Sequence, residues 1–175
     1  EATPLRKLHR PPLTDGAVCM VMVSERWLRR NPGHRPLARL SGVGWAADSY
    51  RLGHERLRQF GSARKAWAQA LRMAGHADAG SIAVMELECQ TVYHQAAYVQ
   101  ALGLTERTQV CPSGGAFAQN PLFCTGLVGA AEAVLQVAGQ AGAVQVADVQ
   151  RAAAHSCHGY AQQGNVFMIF EQVGG

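Results

Sequence analysis

Residues 111–126 read CPSGGAFAQNPLFCTG, and this stretch decides how the rest of the chain is interpreted. It holds three glycines, two prolines and several small polar residues, between a short apolar segment and a long one. Such a composition is typical of backbone that passes close to another group, because glycine lacks a Cβ atom. Two interpretations stay open: a reactive site, or a strand-to-helix turn in which Gly114 and Gly115 only relieve crowding.

Strand-like and helix-like patterns alternate on both sides of this stretch. Residues 17–24 form a continuous apolar run, which is typical of a strand buried on both faces. Residues 122–139 are apolar or small on nearly every face, which predicts a helix buried inside a layered fold. We further expect strands at 37–45, 81–87, 109–111, 150–156 and 165–171, and helices at 25–30, 63–74 and 91–102. This order predicts an α/β fold with a mixed five-stranded sheet and helices on both faces.

Composition limits the class of protein. The chain has 175 residues, of which 48% are apolar and 16% charged, so we expect a globular protein. The sequence contains no run of eighteen apolar residues, so no membrane span is predicted. Five cysteines without a CxxC pair favour a reducing compartment, and therefore a cytoplasmic location. The chain begins with Glu1 and shows no signal peptide, which predicts a processed, nicked or truncated product.

Charge is distributed unevenly along the chain. Residues 1–75 hold fourteen Lys and Arg against five Asp and Glu, whereas residues 76–175 hold two against seven. A basic front half attracts phosphate groups, either of nucleic acid or of a phosphorylated cofactor. We expect no nucleic-acid partner, because no helix-turn-helix, zinc or RNA-binding signature is present. A solvated surface or a partner interface remains the alternative.

Three motifs together carry a resemblance to a known family. The first is PLTDGA at residues 12–17, and the second is SGGA at 113–116, followed by Asn-Pro at 120–121 and Thr-Gly at 125–126. The third is AHSCHG at residues 154–159, leading into the final strand. With these motifs the chain resembles the C-terminal half of the thiolase superfamily. It is most similar to the branch around sterol carrier protein X and the steroid side-chain aldolases.

The resemblance implies two similar α/β halves that stack around buried helices and act, as dimers, on thioesters of coenzyme A. Residues 1–36 would then be the tail of the N-terminal half, comprising a linker, a strand and a short helix. Residues 37–175 would form the C-terminal domain. The family's nucleophilic cysteine would lie in an N-terminal portion outside this chain. Expected partners are that portion, as a companion subunit in a homo- or hetero-oligomer, and a small OB-fold protein. No covalently bound cofactor is expected.

Two family positions are occupied by other residue types here. Where family members carry histidine in a Gly-His-Pro segment, this chain has Asn120, which can donate a hydrogen bond but cannot shuttle a proton. Where they carry Asn or His at the start of the helix after the second strand, this chain has Glu88. Burial would raise the pKa of Glu88 and make it an acid or base. Alternatively, the dipole of the following helix stabilises its carboxylate.

The third family position, a cysteine in a Cys-x-Gly segment, aligns near Gly159. Non-thiolase members carry a His-Gly segment there, and the steroid aldolases are thought to use tyrosines. Cys157, His158 and Tyr160 offer a thiol, an imidazole and a phenol for this chemistry. A structural role for His155 and Cys157 is the alternative. We expect no metal site, because this segment supplies no fourth ligand for tetrahedral zinc.

Binding of coenzyme A is expected at two places. The resemblance places substrate near the Ser-Gly-Gly turn and the phosphates at a basic rim, which suggests Ser113, Gly114, Gly115, Arg26, Arg29 and Arg30. The expected reaction is acyl transfer or retro-aldol carbon–carbon cleavage of acyl-CoA or steroid-CoA thioesters. The alternative is a non-catalytic subunit that binds lipid or CoA esters, or serves as a scaffold.

Overall fold

The computed structural model describes residues 3–76 and 78–174, within which five strands form one mixed sheet. The strands are β1 (Arg39–Ala47), β2 (Val84–Leu87), β3 (Gln109–Val110), β4 (Arg151–His158) and β5 (Gly164–Glu171). Their order across the sheet is β1-β5-β4-β2-β3. Strand β5 is antiparallel to both of its neighbours, β1 and β4, whereas β4, β2 and β3 run parallel to one another. The predicted five-stranded mixed sheet is confirmed.

Helices cover both faces of this sheet, as predicted. The helices are α1 (Glu25–Arg30), α2 (His54–Gln59), α3 (Gly61–Ala74), α4 (Val92–Leu102), α5 (Gly115–Ala118) and α6 (Thr125–Val137). One core lies between the sheet and α3 and α4, and contains Trp67, Tyr98 and Phe167. The other lies between the sheet and α6. None of the described helices is long and apolar enough to cross a membrane.

The predicted helices near 63–74 and 91–102 form because local signals set their ends. The hydroxyl of Thr91 accepts a hydrogen bond from the backbone nitrogen of His94 and caps the start of α4. Gly75 and Gly103 end α3 and α4 in the left-handed conformation, with φ of +78° and +67°. These two predictions are confirmed.

The predicted buried strand at residues 17–24 is wrong. These residues form no regular secondary structure and join no described strand, and the side chains of Val21 and Met22 are 86% and 72% exposed. An apolar run becomes a strand only when its backbone donors and acceptors find a neighbouring strand. No segment of the described chain supplies one, although Met20 packs against the α6 core.

The predicted helix at 122–139 is shorter and is buried on one side only. It begins at Thr125, because Phe123 has a φ of +67° and interrupts helical geometry. Ala130, Ala133 and Val137 face the sheet and are fully buried. Away from this face Leu127 is 38% exposed.

Glu171, at the end of β5, joins three basic side chains. Its carboxylate accepts hydrogen bonds from Arg39, from His76 Nε2 at 2.9 Å and from Arg151 Nε at 3.4 Å. Burial acts to raise the pKa of Glu171, but the hydrogen bonds from Arg39 and His76 outweigh it and lower the pKa. The cluster ties β5 to β1, to β4 and to His76, the second residue after α3.

Strand β1 and helix α3 approach so closely that glycine is required between them. A Cβ atom on Gly44 would overlap the carbonyl oxygen of Ala66 and lie 2.6 Å from the backbone nitrogen of Ala70. Because the obstructing atoms belong to the helix backbone, no side-chain rotation relieves the overlap. Sequence analysis did not foresee this contact.

We expect Gly44→Ala to lower the free energy of unfolding by about 1–3 kcal/mol or more, the usual cost of overpacking. Gly33→Ala is the matched control, since a Cβ atom there meets nothing within 4 Å. The control should change stability by less than about 0.5 kcal/mol. Urea denaturation of both variants measures the difference, and equal stabilities would contradict the described contact.

Candidate functional site

The candidate site lies where the parallel strands β2 and β4 end at one edge of the sheet. Leu87, the last residue of β2, is paired with His155 of β4, so Glu88 comes beside Ser156. A carboxylate oxygen of Glu88 accepts a hydrogen bond from Ser156 Oγ at 2.7 Å and one from the backbone nitrogen of Cys157 at 3.4 Å. The predicted site residues Glu88 and Cys157 are therefore neighbours.

Burial changes the pKa of the Glu88 carboxyl group. Burial raises its pKa, and the hydrogen bonds from Ser156 and Cys157 and the nearby His158 oppose this rise without cancelling it. Helix α4 is capped by Thr91, three residues later, so Glu88 is not in the first turn of that helix. A raised pKa brings a carboxyl group closer to the range in which general acids and bases work.

A second carboxyl group, Glu86, is buried two residues earlier. It is 1% exposed and accepts hydrogen bonds from Ser113 Oγ at 2.8 Å and from the Ser113 backbone nitrogen at 3.3 Å. Burial raises its pKa, although the bonds from Ser113 oppose the rise. Glu86 was not among the predicted site residues. The available signal was a glutamate inside an otherwise apolar strand.

The Ser-Gly-Gly turn is held in place by Glu86. Ser113 Oγ also accepts a hydrogen bond from the Gly115 backbone nitrogen at 3.0 Å. Gly114 and Gly115 have φ of +86° and +52°, and a Cβ atom on Gly114 would lie 2.8 Å from the Cβ of Ala118. The turn thus has a structural reason for its glycines, and its contact with a substrate stays a prediction.

Asn120 is buried and largely occupied by internal contacts. Its side-chain oxygen accepts a hydrogen bond from Thr125 Oγ1 at 2.9 Å, and its backbone nitrogen donates to Thr14 Oγ1 at 2.9 Å. Its side-chain nitrogen has no hydrogen-bond partner within residues 3–76 and 78–174. That nitrogen can donate to a ligand oxygen, but the amide cannot transfer a proton.

After His155, Cys157 lies beside Glu88, whereas Tyr160 lies at the surface. Burial raises the pKa of the Cys157 thiol to about 12, so this residue is not a thiolate at neutral pH. The ring of His158 lies directly over Gly164, where a Cβ atom would overlap it. Tyr160 lies in the turn between β4 and β5 and is 62% exposed, outside the cluster around Glu88.

His155 is entirely buried on the α4 side of the sheet, opposite the side that carries Glu88, and lies between Tyr98 and Phe167. Burial lowers its pKa to about 4, so its ring is neutral at physiological pH. Its Nε2 atom lies 2.8 Å from Asn165 Oδ1. The structural role considered for His155 fits this environment. Within the described residues, no group of three or more His, Cys, Asp or Glu side chains is placed to hold a metal ion.

The first turn of α6 closes over the carboxyl groups. A Cβ atom on Gly126 would overlap Ser156 Oγ and lie 2.9 Å from the carboxylate of Glu88. The cavity between Glu86, Glu88, Ser113 and Thr125 measures only about 10 Å³, which is about enough for one water molecule. A thioester group does not fit into this space.

The predicted coenzyme A phosphate contacts lie on α1. Arg26, Arg29 and Arg30 are all exposed, and Arg29 pairs with Glu25 at 3.6 Å. None of these arginines lines the cavity beside Glu88. Their role in binding phosphate stays a prediction.

We predict that Glu86→Gln stabilises the fold increasingly as the pH rises. Because the pKa of Glu86 is raised in the folded state, its contribution to stability is present below the ordinary carboxyl pKa of about 4.3 and is lost as the pH rises through the folded value. Glutamine can keep both contacts to Ser113 without carrying a charge.

Urea denaturation across the pH range measures this effect. The stability difference between Glu86→Gln and the wild type should grow to about 1–3 kcal/mol in alkaline buffer. Glu106→Gln, at an exposed position, should show no such trend. A pH-independent difference for Glu86→Gln would contradict the raised pKa. Acidification also removes the stability that Glu171 contributes, because its pKa is lowered in the folded state. This loss is the same in the wild type and both variants, so it cancels when their stabilities are compared.

Comparison with known proteins places the fold. No protein-family model matches the chain, and no curated protein matches it. Among solved structures, human mitochondrial 3-ketoacyl-CoA thiolase superimposes with a TM-score of 0.67 and 19% sequence identity, over 86% of this chain and 34% of the thiolase. The same thiolase in complex with CoA gives a TM-score of 0.64, at the same identity and coverage.

The chain therefore spans about a third of the length of the thiolase structures it matches. At this level of identity the similarity concerns the arrangement of strands and helices. The chain has a thiolase-like α/β fold.

Proposed function

We propose that this chain is the C-terminal part of a thiolase-like enzyme that acts on acyl-CoA or steroid-CoA thioesters together with a separate N-terminal portion. The observation that carries the proposal is the buried carboxyl group of Glu88, whose pKa is raised at the edge where β2 and β4 end. A fold shared with a thiolase solved in complex with CoA supports the proposed class of substrate.

In this proposal Glu88 moves a proton at the carbon next to the thioester carbonyl. In acyl transfer it removes that proton, and the resulting carbanion attacks an acyl group held as a thioester on a cysteine of the companion portion. A carbon–carbon bond forms, the carbon–sulfur bond to the cysteine breaks, and the cysteine leaves as a thiolate. In retro-aldol cleavage a base removes the proton of the substrate's hydroxyl group and the carbon–carbon bond breaks. Glu88 then returns a proton to the thioester fragment. The side-chain nitrogen of Asn120 donates to the thioester oxygen in either route.

Two apolar surfaces support a companion portion. Segment 17–24 exposes Val21 and Met22 without a neighbouring strand, and the outer face of α6 exposes Leu127. Exposed apolar surfaces of this kind mark interaction sites. The cavity beside Glu88 is too small for a thioester, so the substrate would bind between the two portions. The OB-fold partner remains a prediction from the resemblance.

A non-catalytic subunit that binds CoA esters is the second candidate. It is favoured by the Cys157 thiol, which burial keeps protonated, and by Asn120 at a position where a proton carrier is expected. Binding of a CoA thioester without turnover by the complete assembly would identify this function.

We expect Glu88→Gln to lower turnover by about 10²- to 10⁴-fold, the usual contribution of a general acid or base, with little change in substrate affinity. Turnover is measured on the protein copurified with its companion, by mass spectrometry of the released acyl-CoA products. Glu106→Gln removes an exposed carboxylate and should have no effect. Unchanged turnover in Glu88→Gln would overturn the assignment of Glu88.

Tyr160 tests the choice between the two reactions. If cleavage follows the retro-aldol route with the Tyr160 phenol as the acid or base, Tyr160→Phe should reduce the rate by about 10²-fold or more. Tyr50→Phe is the control, since Tyr50 is also an exposed tyrosine, at 77% against 62%. An unchanged rate in Tyr160→Phe would remove Tyr160 from the mechanism and favour acyl transfer.

A further inference from the structure

A second and larger cavity lies between α2, α3, α4 and the turn that joins β4 to β5. Its volume is about 340 Å³, within the range of about 300–1,000 Å³ that small-molecule sites occupy. We call it the α4 cavity. Its polar wall includes Asp48, Arg56, His94, Tyr98, Gln162 and Asn165. The proposed catalytic function uses none of these residues.

The wall of the α4 cavity is fixed by a connected set of hydrogen bonds. Asn165 Nδ2 donates to Ser62 Oγ at 2.8 Å, and Ser62 Oγ donates to Asp48 Oδ2 at 2.7 Å. Tyr98 OH lies 2.9 Å from Asn165 Oδ1. Because each group holds the next, the polar atoms that face the cavity are preorganised. Asp48 Oδ1 has no hydrogen-bond donor among the described residues.

His94 presents a donor to the same cavity. Gln162 Nε2 lies 3.0 Å from His94 Nδ1 and donates to it, so the ring proton is on Nε2. Among residues 3–76 and 78–174, Nε2 has no acceptor. Burial lowers the pKa of His94, so the ring is neutral.

The charges on the wall do not favour a charged ligand. The guanidinium of Arg56 donates through Nη1 and Nη2 to the carbonyl oxygens of Tyr50, Tyr160 and Ala161, whereas its buried Nε atom has no hydrogen-bond partner among the described residues. The negative charge of the Asp48 carboxylate repels anionic ligands. The positive charge of Arg56 offsets the attraction that this carboxylate has for cationic ligands. The cavity therefore suits a group without net charge.

Strained backbone surrounds the α4 cavity. Phe60, Ala161 and Gln162 all line it and have φ of +51°, +49° and +54°, in the left-handed region that side chains other than glycine rarely adopt. Such conformations persist where the surrounding structure fixes them, and they cluster at ligand sites. Phe60 is the residue between α2 and α3, and Ala161 and Gln162 lie in the turn between β4 and β5, so the backbone of this part of the wall is fixed by those elements.

We propose that the α4 cavity binds a neutral hydroxyl- or carbonyl-bearing group of a small ligand, with His94 Nε2 as the donor and Asp48 Oδ1 as the acceptor. The cavity is next to the candidate site in the chain, because Gln90 follows Glu88 by two residues and Gly159 follows His158 directly. The bound group belongs either to the acyl part of a CoA thioester, which rests on the proposed function, or to a free small molecule, which does not.

Calorimetric titration of the full chain with its copurifying partners tests this proposal. The probes are hexanoyl-CoA, 6-hydroxyhexanoyl-CoA, 6-aminohexanoyl-CoA, adipoyl-CoA and hexane-1,6-diol. We expect the hydroxy ester to bind about tenfold more tightly than hexanoyl-CoA, which corresponds to one added hydrogen bond. The amino and carboxy esters should gain nothing over hexanoyl-CoA.

Variants assign the preference to the cavity. His94→Leu removes the donor and Gln162→Leu removes the group that orients it, so each should abolish the preference for the hydroxy ester. His34→Leu, at an exposed position next to Trp27, should retain it. Thermal unfolding followed by circular dichroism checks that the variants fold. If one of the two fails to fold, the other carries the test.

The outcomes separate the cavity from the proposed function. Binding of the diol alone, lost in His94→Leu and Gln162→Leu, would support the cavity as a site for a free molecule even if no CoA ester binds. Equal affinity for the hydroxy and plain esters, with no diol binding, would overturn the proposal. So would a preference that survives in both variants, or tighter binding of a charged ester.

Discussion

Two carboxyl groups held out of water at the end of one strand determine the structure around the candidate site. Glu86 and Glu88 lie two residues apart, and each is satisfied by a serine from a different element, Ser113 for the first and Ser156 for the second. Burial without these hydrogen bonds would cost several kcal/mol per group, on the order of an unpaired polar group. The Ser-Gly-Gly turn and the end of β4 are therefore placed by the carboxyl groups. Helix α6 comes close through Gly126.

The same geometry separates the cavity beside Glu88 from the α4 cavity. Neighbouring side chains along a strand point to opposite faces of the sheet, so Glu86 faces the α6 side while Tyr98 of α4 covers His155 on the other side. The small cavity beside Glu88 and the α4 cavity consequently open near the same edge of the sheet, on different faces. A ligand that reaches both would have to pass this edge.

Several features of this protein could be predicted from sequence because they depend on local signals. The Thr91 cap, the Gly75 and Gly103 ends and the alternation of strands and helices are of this kind. The predicted strand at 17–24 failed, since apolar character does not supply a pairing partner. Glu86 stood out as a glutamate inside an apolar strand, but its partner Ser113 lies far from it in sequence. The wall of the α4 cavity could not be found, because its members come from distant segments that meet only when the helices pack on the sheet.

The central claim is that this thiolase-like chain forms its active site with a companion portion. Native mass spectrometry of the protein, purified gently from its source and followed by peptide mapping of every copurifying chain, tests it most directly. We predict a stable complex in which the companion carries a thiolase-like N-terminal half and covers segment 17–24 and the outer face of α6. A stable single chain, with no companion at any protein concentration, would contradict the account.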